Sequence, residues 1–121
     1  MLRLLKSFGW AISGIRYGFV TQTNMKIHLA VAVAVILVCT RLLGMPPFEL
    51  AVVVLAIFLV LVAEMFNTAI EALVDLYSPG RHPLAKTAKD VAAGAVLLAA
   101  LNAVLVAYFL IWPRIKDLME R

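Results

Sequence analysis

The sequence predicts an all-α integral membrane protein, in which three transmembrane helices follow an N-terminal amphipathic surface helix. The first observation is composition: of 121 residues, 64% are hydrophobic and only 15% are charged, and the mean hydropathy is +1.01. A small soluble domain exposes too much of its surface to hide so many apolar side chains. The second observation is three long apolar runs, and the third is a basic leader with apolar residues at helical spacing. We therefore expect one domain, 1–121, covered by a lipid bilayer.

The leader comprises residues 1–26 and is expected to begin with a helix lying at the membrane surface. Apolar side chains recur every three or four residues, and basic or polar side chains lie elsewhere around the helix. The apolar set is Leu5, Phe8, Ile12, Ile15 and Phe19, and the polar set is Arg3, Lys6, Ser13 and Arg16. This pattern is typical of an interfacial amphipathic helix. A plain membrane anchor would show the same pattern.

Three apolar runs are candidates for crossing ~30 Å of hydrocarbon, which takes about 20 residues of helix. They are residues 27–43, 48–74 and 91–112. Gly44, Pro46 and Pro47 mark a short turn after the first run, and the charged, turn-rich residues 75–90 separate the second run from the third. The leader and this second loop hold seven Lys and Arg residues, against four elsewhere. The bias predicts a cytoplasmic leader and second loop and an outward C-terminal tail.

Composition also disfavours some functions. The net charge of +4 is better explained by anionic lipid headgroups than by nucleic acid, because the sequence lacks a basic stripe with interleaved aromatic residues. The single cysteine, Cys39, cannot form an intrachain disulfide and is expected to be a buried thiol.

The second apolar run ends in AEMFNTAIEALVD, which carries Glu64, Asn67, Glu71 and Asp75. At 100° per residue, the three carboxylates fall within about 40° of the helix circumference, with the asparagine about 60° to one side. A charged group inside a membrane costs at least ~2.5 kcal/mol even on insertion scales. A divalent cation with a polyphosphate would compensate this cost. Helix pairing through Asn67 and a protonated Glu64 is the structural alternative.

The second loop carries the complementary charge. Pro83 suits the first turn of a helix, and Lys86 and Lys89 share a face of the helix that would begin there. A helix N-terminus with lysines, placed at the end of a carboxylate stripe, predicts a nucleotide site. GRHPLAKT is not a phosphate loop of the G-x-x-x-x-G-K-[ST] kind, because Ala85 replaces the second glycine and no strand precedes it. Lysines that only enforce topology are the alternative.

Residues 64–75, followed by HPLAKTAKDVAAGAVLLAA, resemble the prokaryotic diacylglycerol kinase family of small integral membrane kinases. The leader segment RYGFVTQTNMKIH and the loop look most like the branch that phosphorylates undecaprenol. The resemblance implies a kinase that uses ATP and Mg²⁺ to phosphorylate a membrane lipid alcohol, undecaprenol or diacylglycerol. It also implies a homotrimer with shared active sites in the bacterial inner (plasma) membrane, with a cytoplasmic N-terminus.

The resemblance further implies roles for individual residues. Glu64 is similar to the catalytic base, Asn67 to a residue that places the reacting groups, and Glu71 to a magnesium ligand. The lipid alcohol is expected at Glu64, Asn67, Arg3, Arg16 and Lys26. The nucleotide is expected at Arg3, Trp10, Gln22, Glu71, Arg81, His82, Lys86, Lys89 and Asp90, and the metal at Glu71 and Gln22. Gln22 and Trp10 depart from the family, which commonly has a second magnesium-binding glutamate and a different aromatic at these positions.

Two other functional classes fit parts of the pattern. A small ion- or proton-coupled transporter subunit would also need intramembrane glutamates, but it predicts carboxylates near the middle of the bilayer and no nucleotide loop. An assembly or scaffold protein would use Gly94 and its alanine neighbours for helix packing.

Overall fold

The computed structural model describes residues 1–80 and 82–120, and the regular structure in this part of the chain is entirely helical. The α-helices are α1 (Leu2–Thr21), α2 (Thr23–Leu37), α3 (Pro47–Tyr77), α4 (Pro83–Val106) and α5 (Trp112–Met119). A π-helical turn, Val38–Leu42, continues α2, and another, Ala107–Ile111, joins α4 to α5. The predicted all-α class is confirmed.

Within the described residues, three helical stretches are long and apolar enough to cross a membrane: Thr23–Leu42, Pro47–Tyr77 and Pro83–Met119. Each overlaps one of the three apolar runs. The helices extend further than the runs, because α3 continues to Tyr77 and α4 already begins at Pro83. Most of the charged residues around the second loop therefore belong to α3 or α4. A helix can continue beyond its apolar part.

The helix ends follow local chemistry. Gly44 adopts a positive φ of 53°, which glycine tolerates best, and the next residue donates a backbone hydrogen bond to the Cys39 carbonyl at 3.0 Å. The turn reverses the chain between α2 and α3, so these helices run antiparallel. Pro83 lies in the first turn of α4, as predicted, and the Nδ1 atom of His82 accepts a hydrogen bond from the Leu84 N–H at 3.2 Å.

The core is a stripe along α3 that faces the other long helices. Val53, Ala56, Val60, Glu64 and Asn67 are buried at intervals of three or four residues, which places them on one helix face. The largest helix–helix contact is between α3 and α4, followed by that between α2 and α3.

The end of the bundle away from the acidic stripe is also well packed. Cys39 is fully buried there, as predicted, in a cluster with Met45, Val53 and Ile111. Arg114 in α5 donates from Nε and Nη2 to both carboxylate oxygens of Glu49, at 3.0 and 2.9 Å. This two-point contact ties α5 to the first turn of α3.

Candidate active site

The acidic face lies on one uninterrupted helix, α3, and its exposure rises along the chain. Glu64 is 2% exposed and Asn67 is 6% exposed. Glu71 is half-buried, and the side chain of Asp75 is 66% exposed. The face therefore runs from the interior of the bundle to its surface.

Asn67 and Glu71 are joined within this face. The Nδ2 group of Asn67 donates to Oε1 of Glu71 at 3.1 Å, and the Thr68 hydroxyl donates to the Glu64 backbone carbonyl at 2.9 Å. Both bonds stay within α3, so in this structure the Asn67 amide serves its own helix and does not pair α3 with a neighbour.

Two buried oxygen atoms on the face lack a partner. Oε2 of Glu64 and Oδ1 of Asn67 accept no hydrogen bond from any described residue. A buried acceptor left in this state costs about 1–3 kcal/mol. The two atoms thus mark a position where a donor or a cation would be stabilised.

A cavity of about 770 Å³ lies where α3 ends and α4 begins. Its charged lining consists of Asp75, Lys86, Lys89 and Asp90, and His82 contributes to the same wall. These residues include four that the sequence assigns to the nucleotide. Arg81, which was assigned with them, lies outside the described residues.

Ion pairs organise the charges of this cavity. The Lys89 ammonium lies 2.5 Å from Oδ1 of Asp75, which links α3 to α4, and the Lys86 ammonium lies 2.6 Å from Oδ2 of Asp90. Exposed pairs of this kind are screened by water and contribute little to stability. A polyphosphate could therefore replace the carboxylates as the partner of either lysine.

The site residues assigned to the leader are more dispersed. Arg3, Trp10 and Arg16 are exposed on α1, Gln22 is half-buried at the junction with α2, and Lys26 is exposed on α2. Their side chains form no hydrogen bond or ion pair with the described residues. Within one chain, these residues are not joined to Glu64 or to the charged cavity.

Sequence reasoning missed the contact that docks α1. Gly18 is the only buried residue of the described helix α1. A Cβ atom on Gly18 would lie 2.8 Å from Sδ of Met65 and 3.5 Å from Cε of Met25. Glycine thus lets α1 approach the residue that directly follows Glu64. The sequence signal is weak, because a glycine within a helix has no chemistry of its own.

The donor atoms on α3 fit a magnesium ion. Mg²⁺ prefers oxygen ligands and is usually held by one or two carboxylates together with water and substrate phosphates. Glu71 offers a carboxylate, and the unpartnered oxygens of Glu64 and Asn67 lie on the same face. No cluster of three or more His, Cys, Asp or Glu able to hold a metal occurs among the described residues. A metal here would thus need further oxygen ligands, such as phosphates.

Comparison with known proteins identifies the family of the chain. Residues 9–111 match the family model described as prokaryotic diacylglycerol kinase. A diacylglycerol kinase of Synechocystis sp. is 47% identical over 117 residues, which cover 96% of this chain and 66% of that protein. The chain therefore spans just under two thirds of that relative.

Two other relatives are covered almost completely. An undecaprenol kinase of Bacillus subtilis is 39% identical over 113 residues, 93% of this chain and 91% of that protein. A diacylglycerol kinase of Escherichia coli (strain K12) is 31% identical over 111 residues, 91% of this chain and 89% of that protein. With a family match across most of its length and an acidic helix face beside a lysine-lined cavity, the chain belongs to the prokaryotic diacylglycerol kinase family, a family of lipid kinases.

Proposed function

We propose that this protein transfers the γ-phosphoryl group of ATP, with Mg²⁺, to the hydroxyl of a membrane lipid alcohol at the cytoplasmic membrane surface. The acceptor is undecaprenol or diacylglycerol, the two lipids that name the relatives. The observation that carries the proposal is the buried, unpartnered Oε2 of Glu64, on a helix face that ends in a cavity lined by two lysines.

Glu64 is the proposed general base. In the reaction, the alcohol oxygen bonds to the γ-phosphorus, the bond from that phosphorus to the β,γ-bridging oxygen breaks, and ADP leaves. The proton of the hydroxyl passes to Oε2 of Glu64. Because Glu64 is almost fully buried, it is better placed to receive an alcohol from the bilayer than a water molecule from the solvent.

Asn67 and Glu71 are proposed to position the reacting groups. The bond from Asn67 fixes one oxygen of the Glu71 carboxylate and leaves Oδ1 of Asn67 as a free acceptor. Glu71 and Gln22 are the residues proposed to hold Mg²⁺, which would supply positive charge beside the phosphates when bound.

The charged cavity is proposed for the nucleotide. Asp75 follows Glu64 by eleven positions on α3, or about 16 Å along the axis, so a nucleotide in this cavity has to extend along the same face for its γ-phosphate to meet the lipid hydroxyl at Glu64. Lys86 and Lys89 would exchange their carboxylate partners for phosphate oxygens, and Asp90 and His82 would line the same wall. Arg3, Trp10, Arg16 and Lys26 are proposed to close the site from the leader.

We further propose a homotrimer with shared active sites in the bacterial inner membrane, with the N-terminus in the cytoplasm. The dispersion of the leader residues within one chain supports shared sites, because a neighbouring subunit could bring them to a complete site. The transporter alternative is not favoured, because the relatives described above are named as lipid kinases.

The test presents the purified protein in vesicles with undecaprenol or diacylglycerol, each with ATP and Mg²⁺. Mass spectrometry should detect a phosphorylated lipid and an equal amount of ADP, and chelation of Mg²⁺ should stop both. The relative rates with the two lipids identify the acceptor. ATP hydrolysis without phosphorylated lipid, or no use of ATP with either acceptor, would contradict the proposal.

A further inference from the structure

A second cavity, of about 280 Å³, lies between α2, α3 and α4, and no residue with a role proposed above lines it. Its lining is aliphatic except for one side chain, His28. Engineered apolar cavities of about 150 Å³ remain dry and bind small hydrocarbons. This cavity is larger and is partly open to the outside of the bundle, and its lining offers a ligand little besides van der Waals contact.

The shape of the cavity suits one hydrocarbon chain. Its lining extends along α3 from Val53 to Leu61, which corresponds to about 12 Å of helix axis. The mean cross-section is then about 23 Å². Carbon atoms in contact are about 4 Å apart, so a single methylene chain fits this width and two chains side by side do not.

The two ends of the cavity differ in polarity. Since α2 and α3 are antiparallel, His28 near the start of α2 and Val60 near the middle of α3 lie at the same end. Val60 precedes Glu64 by four residues on the same buried face, or about 6 Å along the axis. The polar end of the cavity is therefore the end nearer the buried carboxylate, which lies one helical turn beyond the lining, and the remainder extends into the apolar part of the bundle.

We infer that this cavity binds one hydrocarbon chain of the acceptor alcohol, and that His28 holds the polar end of that chain beside Glu64. The inference rests on the proposed kinase function and identifies the part of the site that accepts the lipid tail. A chain gains little on moving from lipid tails to an aliphatic cavity, because the two environments are similarly apolar. The cavity thus acts through orientation, and His28, which can donate and accept hydrogen bonds, is a positioning residue.

A cavity-filling variant tests the chain site. Ala56 is buried and lines the cavity, whereas Ala51 is exposed on the same helix and does not line it. Ala56→Leu should lower kcat/KM for undecaprenol by about tenfold to a hundredfold, the range expected when reacting groups are misplaced by about 1 Å. The binding of Mg-ATP should not change, and Ala51→Leu should behave like the wild type. Equal losses in both variants would overturn the inference.

Two substitutions test His28. His28→Leu should lower kcat for undecaprenol with little change in KM for ATP, because hydroxyl positioning is lost. His28→Gln keeps a donor and an acceptor and should retain most of the activity. If the two variants lose the same activity, His28 only fills space and the positioning role is wrong.

Photo-crosslinking of the wild-type chain decides the question without any variant and without catalysis. Hexadecanol with a diazirine midway along its chain is irradiated with the protein in phosphatidylcholine vesicles, without nucleotide. Label should appear at half-buried cavity residues such as Val35, Ile57 and Val106, and excess undecaprenol should displace it. Label confined to outward-facing positions such as Leu55 and Leu98 would overturn the inference. This result is expected if side chains of a neighbouring subunit fill the cavity.

The two assays separate the inference from the proposed function. Displaceable label in the cavity, together with absence of lipid phosphorylation, would leave the chain site in place and refute the kinase proposal. Lipid phosphorylation with no label in the cavity would support the kinase proposal and refute the chain site.

Discussion

Replacement of Glu64 by glutamine removes the proposed base while preserving the shape of its side chain. The Thr68 hydroxyl bonds to the backbone carbonyl of Glu64, not to its carboxylate, so this contact survives the change. Glu64 also belongs to no ion pair within the described residues. We therefore expect Glu64→Gln to fold and to keep α3 intact.

The expected loss lies in the chemical step. Removing a positioned general base commonly costs 10²–10⁴ in rate, which corresponds to about 3–5 kcal/mol at 1.36 kcal/mol per tenfold. The new amide adds a buried donor, and an unsatisfied buried donor destabilises a fold by about 1–3 kcal/mol. This second effect changes the fraction of folded protein, whereas the first changes the turnover of protein that is folded.

The assay measures the initial rate of lipid phosphorylation in vesicles and, separately, Mg-ATP binding by calorimetry. Glu64→Gln should lose at least 99% of the rate, the lower end of the expected range, and bind Mg-ATP within a few-fold of the wild type. Glu120→Gln is the matched control, because Glu120 is an exposed carboxylate whose partner, Lys116, is 3.7 Å away. Turnover above one tenth of the wild-type rate would remove Glu64 from the base role. A comparable loss of Mg-ATP binding would instead place Glu64 at the nucleotide or its metal.

The remaining predictions concern metal and nucleotide. Glu71→Gln should weaken Mg-ATP binding, because it removes a charged ligand while keeping an oxygen for the Asn67 bond; an unchanged magnesium requirement would count against the site. Lys89→Ala should raise KM for ATP more than KM for the lipid, since its ammonium lies in the charged cavity; a selective loss of lipid affinity would reverse the assignment. Gln22→Glu should lower the magnesium concentration for half-maximal activity at fixed ATP, because a carboxylate adds charge that an amide lacks; a titration curve that stays in place or moves upward means that Gln22 does not contact the metal.

Apolar patterning predicted the helices better than it predicted their ends. Long runs of Val, Leu and Ala indicate where a chain can be covered by lipid, and the helices occur at these positions. The same patterning cannot show that α3 continues through Asp75 to Tyr77. The backbone hydrogen bonds of a helix do not depend on apolar side chains, so a helix can continue into a charged segment. The two π-helical turns share no sequence pattern, since Val38–Leu42 contains Thr40 and Arg41 whereas Ala107–Ile111 lies within an apolar run.

The site was predictable where one helix determines it. Helical geometry alone places Glu64 and Glu71 on one face, and burial of Glu64 follows because that face continues the apolar stripe through Val60. The partner of Lys89 was not predictable, because its contact with Asp75 depends on how α4 docks against α3. The chain-shaped cavity is a product of the same docking and has no local sequence motif.

The polar face of α3 reaches the surface of the bundle at one end only. Along this helix, which the structure describes in full, the face is polar from Asp75 at the surface back to the buried Glu64, and it is apolar before Glu64, at Val60, Ala56 and Val53. An ion pathway through this chain would need polar or water-lined positions beyond Glu64, and on the far side of Glu64 the stripe meets a cavity with an aliphatic lining. A lipid kinase needs the opposite arrangement. Charged nucleotide must approach from one side only, and the hydrocarbon of the acceptor must approach the same carboxylate from within the membrane. The sharp change at Glu64 from a polar to an aliphatic face therefore favours phosphoryl transfer between these two kinds of substrate over transport across the bilayer.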